Sequence, residues 1–309
     1  MPTNPNDTVI TADEMEFTRK FIASECGLIL DANKTYLVES RLLEVARKLG
    51  LKSPSDVIGQ LRNGTNPVLK TAVIDALTTH ETFFFRDQSV FDALQAEVLP
   101  NVIAANAATK KLRIWSAACS TGQEAYSISL ILREHFAALQ GWNIQILGTD
   151  ISDSVVDRAR TGSYSQFEIN RGVPVRMLVK YFKQAGTQWT LDAATRGLAR
   201  FQTCNLLGDI RMLGQFDIIF CRNVLIYFDI AAKRTILDQM KTMMPAHGAL
   251  FLGSAETVFH ITEGFTCQRS GKASYYKVDP KAPLKTAPIA RPTKLRLRTL
   301  ALEAQPGKV

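Results

Sequence analysis

Several polar side chains with the potential for chemistry stand at, or just beyond, the ends of short apolar runs of the sequence. They are Asp150, Asn205, Arg222 and Asn223, together with Glu124, which opens the helix that follows the first run. If the apolar runs are parallel strands of one open α/β sheet, their carboxyl ends meet at one edge, and such sheets bind ligands at that edge. We therefore expect these five side chains to lie around one binding site.

The loop at 117–122 and Asp150 indicate the kind of ligand. The loop, AACSTG, brings backbone N–H groups and a helix N-terminus close to a ligand, but it has one glycine where a dinucleotide fingerprint has three. Asp150 can accept bonds from both hydroxyls of a ribose and would repel a second phosphate. The pattern fits a positively charged nucleoside, such as S-adenosylmethionine, at least as well as a dinucleotide. The alternatives are a packing turn for the loop, and capping of the helix after Ser152 for Asp150.

Two further segments place a polar group among aromatic residues. In TTHETFFFRD, at 78–87, the guanidinium of Arg86 suits two-pronged binding of a carboxylate substrate, although pairing with Asp87 is an alternative. In RNVLIYF, at 222–228, two strongly polar residues precede an apolar and aromatic run, and the structural alternative for Tyr227 is a core residue whose phenol reaches solvent or a carbonyl. The three phenylalanines at 83–85 are expected to pack between two domains.

The elements that must position these residues alternate between strand and helix after about residue 110. The apolar runs predict strands at 112–116, 144–149, 201–204, 216–221, 249–253 and 274–278, with the clearest helices at 123–136 and 230–244. This alternation favours a doubly wound α/β sheet. A polar, glycine-containing stretch at 161–200 interrupts it and predicts a small inserted lobe, partly helical and partly β-hairpin.

The first eighty residues predict a helical unit. Thr11 and Glu14 have capping-box spacing, and Gly27 and Gly50 suit helix ends. The dipeptides at 53–54 and 66–67 each place a capping residue before a proline at the first helical position. The second helix carries Arg41, Glu44, Arg47 and Lys48 opposite its apolar side.

Composition excludes several classes of protein. The chain has 309 residues, 46% of them hydrophobic and 21% charged, which is typical of a globular protein of two domains. No apolar stretch approaches the ~18 residues of a membrane helix, and the first residues lack the features of a signal peptide. We therefore expect a cytoplasmic protein without membrane insertion. Five cysteines without a CxxC pair and four scattered histidines indicate neither disulfides nor a metal site.

The net charge of +8 is concentrated at the C-terminus. Residues 279–309 contain seven basic and two acidic residues, which account for five of the eight charges, together with five prolines. This composition predicts a flexible, disordered basic tail. Since no aromatic residue stands there to stack on a base, no nucleic-acid partner is expected.

Five motifs, in order and at fitting intervals, resemble those of the CheR family of chemoreceptor glutamate methyltransferases. They are THETFFFRD at 79–87, RIWSAACSTGQEAYSI at 113–128, GTDIS at 148–152, NLL at 205–207 and FCRNVLIYFD at 220–229. The resemblance runs from about residue 10 to about residue 278. Any one motif can arise by chance, whereas all five together are highly specific.

The resemblance implies an all-α N-terminal domain at 1–78, a linker and first helix at 79–110, and a Rossmann-like S-adenosylmethionine-dependent methyltransferase domain at 111–278 with a β-subdomain inserted at 161–200. It implies cofactor contacts from His80, Thr82, Arg86, Glu124, Asp150, Asn205, Leu206, Arg222 and Asn223, without a metal. His80 stands where the family often has asparagine. Arg86 and Tyr227 correspond to the residues that orient the substrate carboxylate, and S-adenosylhomocysteine is the product.

The resemblance also implies a partner, the cytoplasmic helices of a methyl-accepting chemoreceptor, which an exposed basic face with Arg41, Arg47 and Lys48 would contact. The β-subdomain of some members binds a receptor's C-terminal pentapeptide. Here the stretch at 183–189 is a few residues shorter, so we expect an enzyme that works without the pentapeptide, and a monomer. The rival hypotheses are a catalytically silent S-adenosylmethionine-binding module and a methyltransferase for another substrate.

Overall fold

A computed structural model describes residues 9–64, 66–136, 139–279 and 281. Four helices form the N-terminal part, and their bounds are α1 Ala12–Cys26, α2 Thr35–Leu49, α3 Pro54–Arg62 and α4 Pro67–Leu77. The predicted capping box of Thr11 and Glu14 is confirmed, as are the glycine ends of α1 and α2 and the proline starts of α3 and α4. Their apolar faces enclose a core of their own around Ile22, Leu42 and Ile58.

A continuous helical rod connects this part to the sheet. It consists of α5 Gln88–Ala93, a π-helical turn Leu94–Val98 and α6 Leu99–Ala105. Val90, Phe91, Leu94 and Val102 are buried along it, so the rod packs on one face of the sheet.

Seven strands form the main sheet. They are β1 Lys111–Ala117, β2 Asn143–Asp150, β6 Ala199–Thr203, β7 Ile218–Cys221, β8 Ala249–Leu252, β9 Phe265–Ser270 and β10 Ala273–Val278. Their order in space is β6-β2-β1-β7-β8-β10-β9, and β10 is antiparallel to both of its neighbours. Along the chain, β2 and β6 are placed on one side of β1, and β7 to β10 are then placed on the other side. The topological switch point, where a doubly wound sheet forms its binding crevice, therefore lies between β1 and β7.

Helices cover both faces of the sheet. They are α7 Gln123–His135, α8 Asp153–Thr161 and α12 Ile230–Thr242. Alternate residues of β1 show the two layers, because Ile114 belongs to one apolar core and Trp115 to the other. This double covering explains why the central strands are apolar throughout.

Between α8 and β6 the chain forms a second sheet, of three strands. Its strands are β3 Ser163–Ser165, β4 Phe182–Ala185 and β5 Gln188–Leu191, in the spatial order β3-β5-β4, with the short helices α9 Gln166–Asn170, α10 Val175–Tyr181 and α11 Ala193–Arg196. Gly186 adopts a positive φ of 59° in the two-residue turn between β4 and β5. We call residues 161–200 the inserted subdomain.

The carboxylate of Glu134, at the end of α7, holds the inserted subdomain against the sheet domain. It accepts hydrogen bonds from the Lys180 ammonium and the Tyr181 hydroxyl, both at 2.6 Å, and also pairs with Arg176. These donors lower the pKa of Glu134 to about 2, the bond from Lys180 being the largest cause.

The structure differs from the sequence-based expectation at two points. Strand β9 was not predicted, and the phenylalanines at 83–85 do not pack between the helical part and the sheet. Phe84 and Phe85 enter the core of the sheet domain, where Phe84 contacts Tyr164 and Phe182 edge-on, while Phe83 is half-buried. The reason is that the inserted subdomain supplies the apolar surface that the Phe84 ring covers, while the Phe85 ring packs against Phe91 of the rod.

Two expectations concern the whole chain. Among the described residues no helix is long and apolar enough to cross a membrane. The predicted basic tail at 279–309 lies outside the described residues except for Asp279 and Lys281.

Candidate functional site

A cleft opens where the helical part faces the carboxyl edge of the main sheet, at the switch point between β1 and β7. All the side chains proposed for cofactor or substrate contact line this cleft. They are His80, Thr82, Arg86, Glu124, Asp150, Asn205, Leu206, Arg222, Asn223 and Tyr227. The expectation that the strand ends share one site agrees with this arrangement.

The loop after β1 has an unusual backbone. Ala118, Ser120 and Gly122 all have positive φ, at 53°, 51° and 92°. At Gly122 a Cβ would stand 2.9 Å from Ala159, so both the backbone angle and the space require glycine. Strained backbone of this kind is concentrated at ligand sites, and here it brings the loop against the end of β2.

Asp150 is the buried carboxylate at that point. One of its oxygens accepts the backbone N–H of Ser120 at 2.8 Å and the other accepts that of Ser152 at 3.1 Å. Burial raises the pKa of Asp150, although the N–H of Ser152 and the nearby His80 act in the opposite direction. The cap of α8 is Ser152 itself. Asp150 therefore holds the loop with one oxygen and the residue that caps α8 with the other, and each oxygen keeps a lone pair for a ligand.

Arg222 lies at the floor of the cleft and is already bound by protein groups. Its guanidinium pairs with Glu124 at 2.9 Å and with Asp87 at 2.6 Å, and it donates to the carbonyl of Arg86 at 2.8 Å. The side chain is only 2% exposed, and its Nε–H is buried without a partner in the described residues. Glu124 also accepts the Ser116 hydroxyl at 2.7 Å. Arg222 thus fixes Glu124 and the Arg86 backbone.

Arg86 itself is half-buried and has free donors. One terminal nitrogen donates to the carbonyl of Glu81 at 3.0 Å, and the guanidinium lies 5.6 Å from the ring centroid of Phe83. No carboxylate of the described residues lies within ion-pair distance, so the alternative of pairing with Asp87 does not hold. The Nε–H and the second terminal nitrogen form the edge of a guanidinium that binds a carboxylate in two-pronged fashion.

Asn223 and Tyr227 stand on the loop after β7, which one carboxylate organises. Glu256 accepts four backbone N–H groups: those of Asn223 and Gly253 on one oxygen, at 2.8 and 2.7 Å, and those of Val224 and Ile226 on the other, at 2.9 and 3.2 Å. Asn223 has a positive φ of 59°, which turns the following N–H groups toward this carboxylate. The Tyr227 hydroxyl and the Asn223 amide have no hydrogen-bond partner in the described part of the chain.

Glu256 was not predicted as a site residue, although its position in the sequence indicates that it lies near the site. It follows β8 by four residues, so it belongs to the same sheet edge as the residues that were singled out. It does not follow its strand directly, however, because it lies three positions beyond the end of the predicted strand at 249–253.

The helical part forms one wall of the cleft. Asn205 donates to the carbonyl of Glu25 at 2.7 Å, at the end of α1, and Leu207 packs against Gly27. The next residues of the helical part pair with the loop after β7, since Ile29 donates its N–H to the carbonyl of Tyr227 at 2.9 Å. Both loops are thereby fixed to the helical part.

His80 and Thr82 come from the segment between the two parts. The Ser120 hydroxyl donates to the His80 carbonyl at 2.7 Å, while the His80 ring bonds the Thr78 hydroxyl at 2.8 Å. The Thr82 hydroxyl, half-buried at the cleft, has no partner among the residues described.

The three basic residues predicted on one face of α2 differ in position. Arg47 and Lys48 are exposed. Arg41 is half-buried, donates to the carbonyl of Thr78 at 3.0 Å and lines the cleft, because its side chain lies toward the junction of the two parts.

Cysteines line part of the cleft without being reactive. Burial raises the pKa of Cys26 to about 11 and that of Cys204 to about 12, so both thiols stay protonated. All five cysteines are free. Within residues 9–64, 66–136, 139–279 and 281, no group of three or more candidate ligands could hold a metal ion.

Comparison with protein families gives two matches that together cover most of the chain. The CheR methyltransferase all-alpha domain matches residues 13–78, and the CheR methyltransferase SAM binding domain matches residues 80–273. The chain belongs to the CheR methyltransferase family. It accordingly has an all-α domain followed by an S-adenosylmethionine-binding methyltransferase domain, as the motifs predicted.

Curated relatives agree with this assignment over nearly their whole length. The chain is 37% identical to chemotaxis protein methyltransferase 1 of Pseudomonas aeruginosa over 268 residues, which are 85% of this chain and 97% of the relative. It is 39% identical to chemotaxis protein methyltransferase Cher2 of Pseudomonas putida over 249 residues, 79% and 90% of the two chains. It is 37% identical to the chemotaxis protein methyltransferase of Vibrio anguillarum over 276 residues, which are 88% of this chain and 99% of the relative.

The residues of the cleft fit the cofactor of this family. Asp150 offers unused acceptor capacity for hydroxyl groups, and the cleft has both apolar wall residues, such as Leu206 and Phe228, and polar groups without partners. The carboxylates of Asp150 and Glu124 suit a ligand that carries positive charge and no phosphate.

Proposed function

We propose that this chain transfers the methyl group of S-adenosylmethionine to glutamate side chains of methyl-accepting chemoreceptors, for chemotactic adaptation in the cytoplasm. The products are glutamate methyl esters and S-adenosylhomocysteine, which makes the chain a protein-glutamate O-methyltransferase. The observation that carries the proposal is that one cleft contains both Asp150 and two side chains with donors left free for a carboxylate, Arg86 and Tyr227.

We assign the cofactor contacts as follows. Asp150 accepts the ribose hydroxyls with the lone pairs that Ser120 and Ser152 leave free. Asn223 and Thr82, whose side chains have no partner in the described residues, supply donors and acceptors for the polar parts. The remaining contacts belong to His80, Arg86, Glu124, Asn205, Leu206 and Arg222. Arg222 acts mainly by holding Glu124, because its two terminal nitrogens already bind two carboxylates and a carbonyl.

The substrate side of the cleft has to position a carboxylate. When bound, S-adenosylmethionine supplies an electrophilic methyl group on a positively charged sulfur. A glutamate with a reference pKa of ~4.3 is ionised at neutral pH, so no general base is needed. Arg86 and the Tyr227 hydroxyl hold the carboxylate in orientation, and such pre-alignment supplies on the order of 7–11 kcal/mol of a barrier.

Orientation and binding strength oppose each other at Arg86. The charge of the carboxylate disappears as the ester forms, so a cation that binds it too tightly stabilises the ground state and slows transfer. The contact of Arg86 with Phe83 and the Glu81 carbonyl limits its freedom without neutralising it. Arg86 therefore acts chiefly as an orienting group.

The receptor helix approaches from the side of the helical part. Arg47 and Lys48 are exposed there, and Arg41 lies nearer the cleft. Acidic, methylatable receptor segments complement this charge. The inserted subdomain has only a two-residue turn between β4 and β5, which supports independence from a C-terminal receptor pentapeptide. Binding of that peptide to the purified protein would refute this part. We expect the protein to act as a monomer.

Methyl transfer to purified receptor tests the proposal. With methyl-labelled cofactor, we expect label on receptor glutamates that mild base releases as methanol, the signature of an ester. Binding of S-adenosylhomocysteine without any transfer would instead identify a catalytically silent module. Label that is stable to base, or that appears on another substrate, would identify a different methyltransferase.

A further inference from the structure

The inserted subdomain contacts the segment that carries Arg86 through one arginine. Arg171 follows α9, and its guanidinium pairs with the Glu81 carboxylate at 2.6 Å. The same guanidinium lies 4.7 Å from the ring centroid of Phe83 and 5.9 Å from that of Phe167. Arg171 thus joins two aromatic rings and one carboxylate, and two of these three partners belong to the segment at 81–86.

The backbones of the two regions are also in direct contact. A Cβ at Gly172 would overlap the carbonyl oxygen of Phe84, so only glycine fits there. On the other side of the contact, the Phe84 ring packs edge-on against Tyr164 of β3 and Phe182 of β4, at 4.9 and 5.8 Å. The inserted subdomain therefore lies against the segment 81–86 over several successive residues.

Arg86 contacts the same two residues as Arg171, although at Glu81 it bonds the backbone carbonyl and Arg171 the carboxylate. It donates to the Glu81 carbonyl at 3.0 Å and lies 5.6 Å from the Phe83 ring centroid. Because Arg86 has no carboxylate partner in the described structure, these two contacts fix its position. A displacement of Glu81 or Phe83 would displace the guanidinium that faces the substrate.

We infer that Arg171 is a positioning residue for Arg86, so that the inserted subdomain takes part in orienting the substrate carboxylate. The inference rests on the proposed function, in which Arg86 performs that orientation. Arg171 does not line the cleft, so its influence on transfer passes through Glu81 and Phe83. A planar guanidinium is required, because it stacks on rings and pairs with a carboxylate at the same time, whereas an ammonium does not stack in this way.

The variant Arg171→Ala tests the inference. A partly exposed ion pair contributes little, but two ring contacts add to it, and we expect kcat for receptor methylation to fall about tenfold. Arg171→Lys should recover less than half of that loss. The Kd for S-adenosylhomocysteine, measured by calorimetry, should rise by less than the tenfold fall in kcat, because Arg86 is one of nine proposed cofactor contacts, and binding also shows that the variants are folded.

A matched control exists on the same subdomain. Arg176 is also an exposed arginine with a carboxylate partner, Glu134, but neither residue touches the segment 81–86. We expect Arg176→Ala to leave kcat for methylation within about twofold of wild type.

A double-mutant cycle separates positioning from a general structural role. If Arg171 acts through Arg86, then Arg171→Ala has little further effect in an Arg86→Ala background, whereas independent effects multiply. Multiplicative losses, or near-normal kcat in Arg171→Ala, would overturn the inference. If the wild-type protein transfers methyl groups to receptor and Arg86→Ala impairs transfer while Arg171→Ala does not, the inference fails alone. If the wild-type protein transfers none, the proposed function fails first.

Discussion

The carboxylate of Glu256 offers the sharpest test of how the substrate side of the cleft is built. It accepts four backbone N–H groups, three of them from the loop that carries Asn223 and Tyr227. Glutamine at this position keeps the shape but has one acceptor oxygen, so two of the four N–H groups would face an NH₂ group that is itself a donor.

The magnitude follows from the number of bonds lost. An unsatisfied N–H costs ~1–3 kcal/mol when buried. Because Glu256 is half-buried and water can reach part of the loop, the lower end of that range applies to each of the two. We expect Glu256→Gln to lower the free energy of unfolding by about 2 kcal/mol. We also expect a fall in kcat for methyl transfer of at least about tenfold, because the Tyr227 loop moves.

Asp229→Asn is the matched control for this carboxylate-to-amide exchange. Asp229 begins α12 on the same loop but accepts a single backbone N–H, that of Ala232 at 2.7 Å, and asparagine caps a helix about equally well. Urea unfolding at neutral pH and receptor methylation should be measured for both variants. If Glu256→Gln behaved like Asp229→Asn in both assays, the four bonds would not organise the loop and the reasoning would be wrong.

Three further predictions concern the cleft and its supports. Arg86→Ala should lower kcat for receptor methylation about 100-fold and Tyr227→Phe about fivefold, as expected for lost orientation and one lost hydrogen bond, in a labelled methyl-transfer assay. Burial raises the pKa of Asp150, so this carboxylate is protonated at a higher pH than an ordinary aspartate. The affinity for S-adenosylhomocysteine should fall as the pH decreases through that raised value, and calorimetry across this range measures the affinity. Glu134, with a pKa of about 2, stabilises the folded state at pH values above the ordinary glutamate pKa, and this stabilisation is lost as the pH falls toward about 2. Glu134→Gln should therefore unfold at a lower urea concentration than wild type at pH 7 but not in strong acid.

Each of these predictions has its own contrary outcome. Near-normal methyl transfer by both Arg86→Ala and Tyr227→Phe would show that neither side chain takes part in the mechanism. Asp150→Asn should bind S-adenosylhomocysteine weakly at every pH, and the same pH dependence in that variant would assign it to another group. An unfolding difference for Glu134→Gln that persisted undiminished in strong acid would show that charge is not its cause.

The sequence predicted those parts of the fold that depend on local pattern. The central strands are buried on both faces, so they appear as uninterrupted apolar runs, and caps such as Thr11 with Glu14 are readable at fixed spacing. Strand β9 was missed because it pairs with β10 alone at the edge of the sheet and has a mixed polar sequence that is mostly half-buried. Its identity as a strand depends on a partner rather than on its own residues.

The site was predictable to the extent that it follows from topology. Parallel strands bring their ends together, so polar residues at those ends were expected to meet, and they do. The positioning residues do not follow in this way. Glu256 acts through a positive φ at Asn223, and Arg171 acts through Glu81 and Phe83, which lie 90 and 88 positions earlier in the chain. No periodicity in the sequence indicates either contact.

Because α1 contacts the loops at the strand ends, the sheet domain alone does not enclose the cleft. Residues from Cys26 to Leu77 supply a substantial share of the side chains around the cleft, and bonds of Glu25 with Asn205 and of Ile29 with Tyr227 hold the helical part there. A fragment beginning near residue 80 would retain every strand of the catalytic sheet and still present the carboxyl edge of that sheet to bulk water on one side. The helical part and the sheet domain therefore form the cleft together, and neither of them forms it alone.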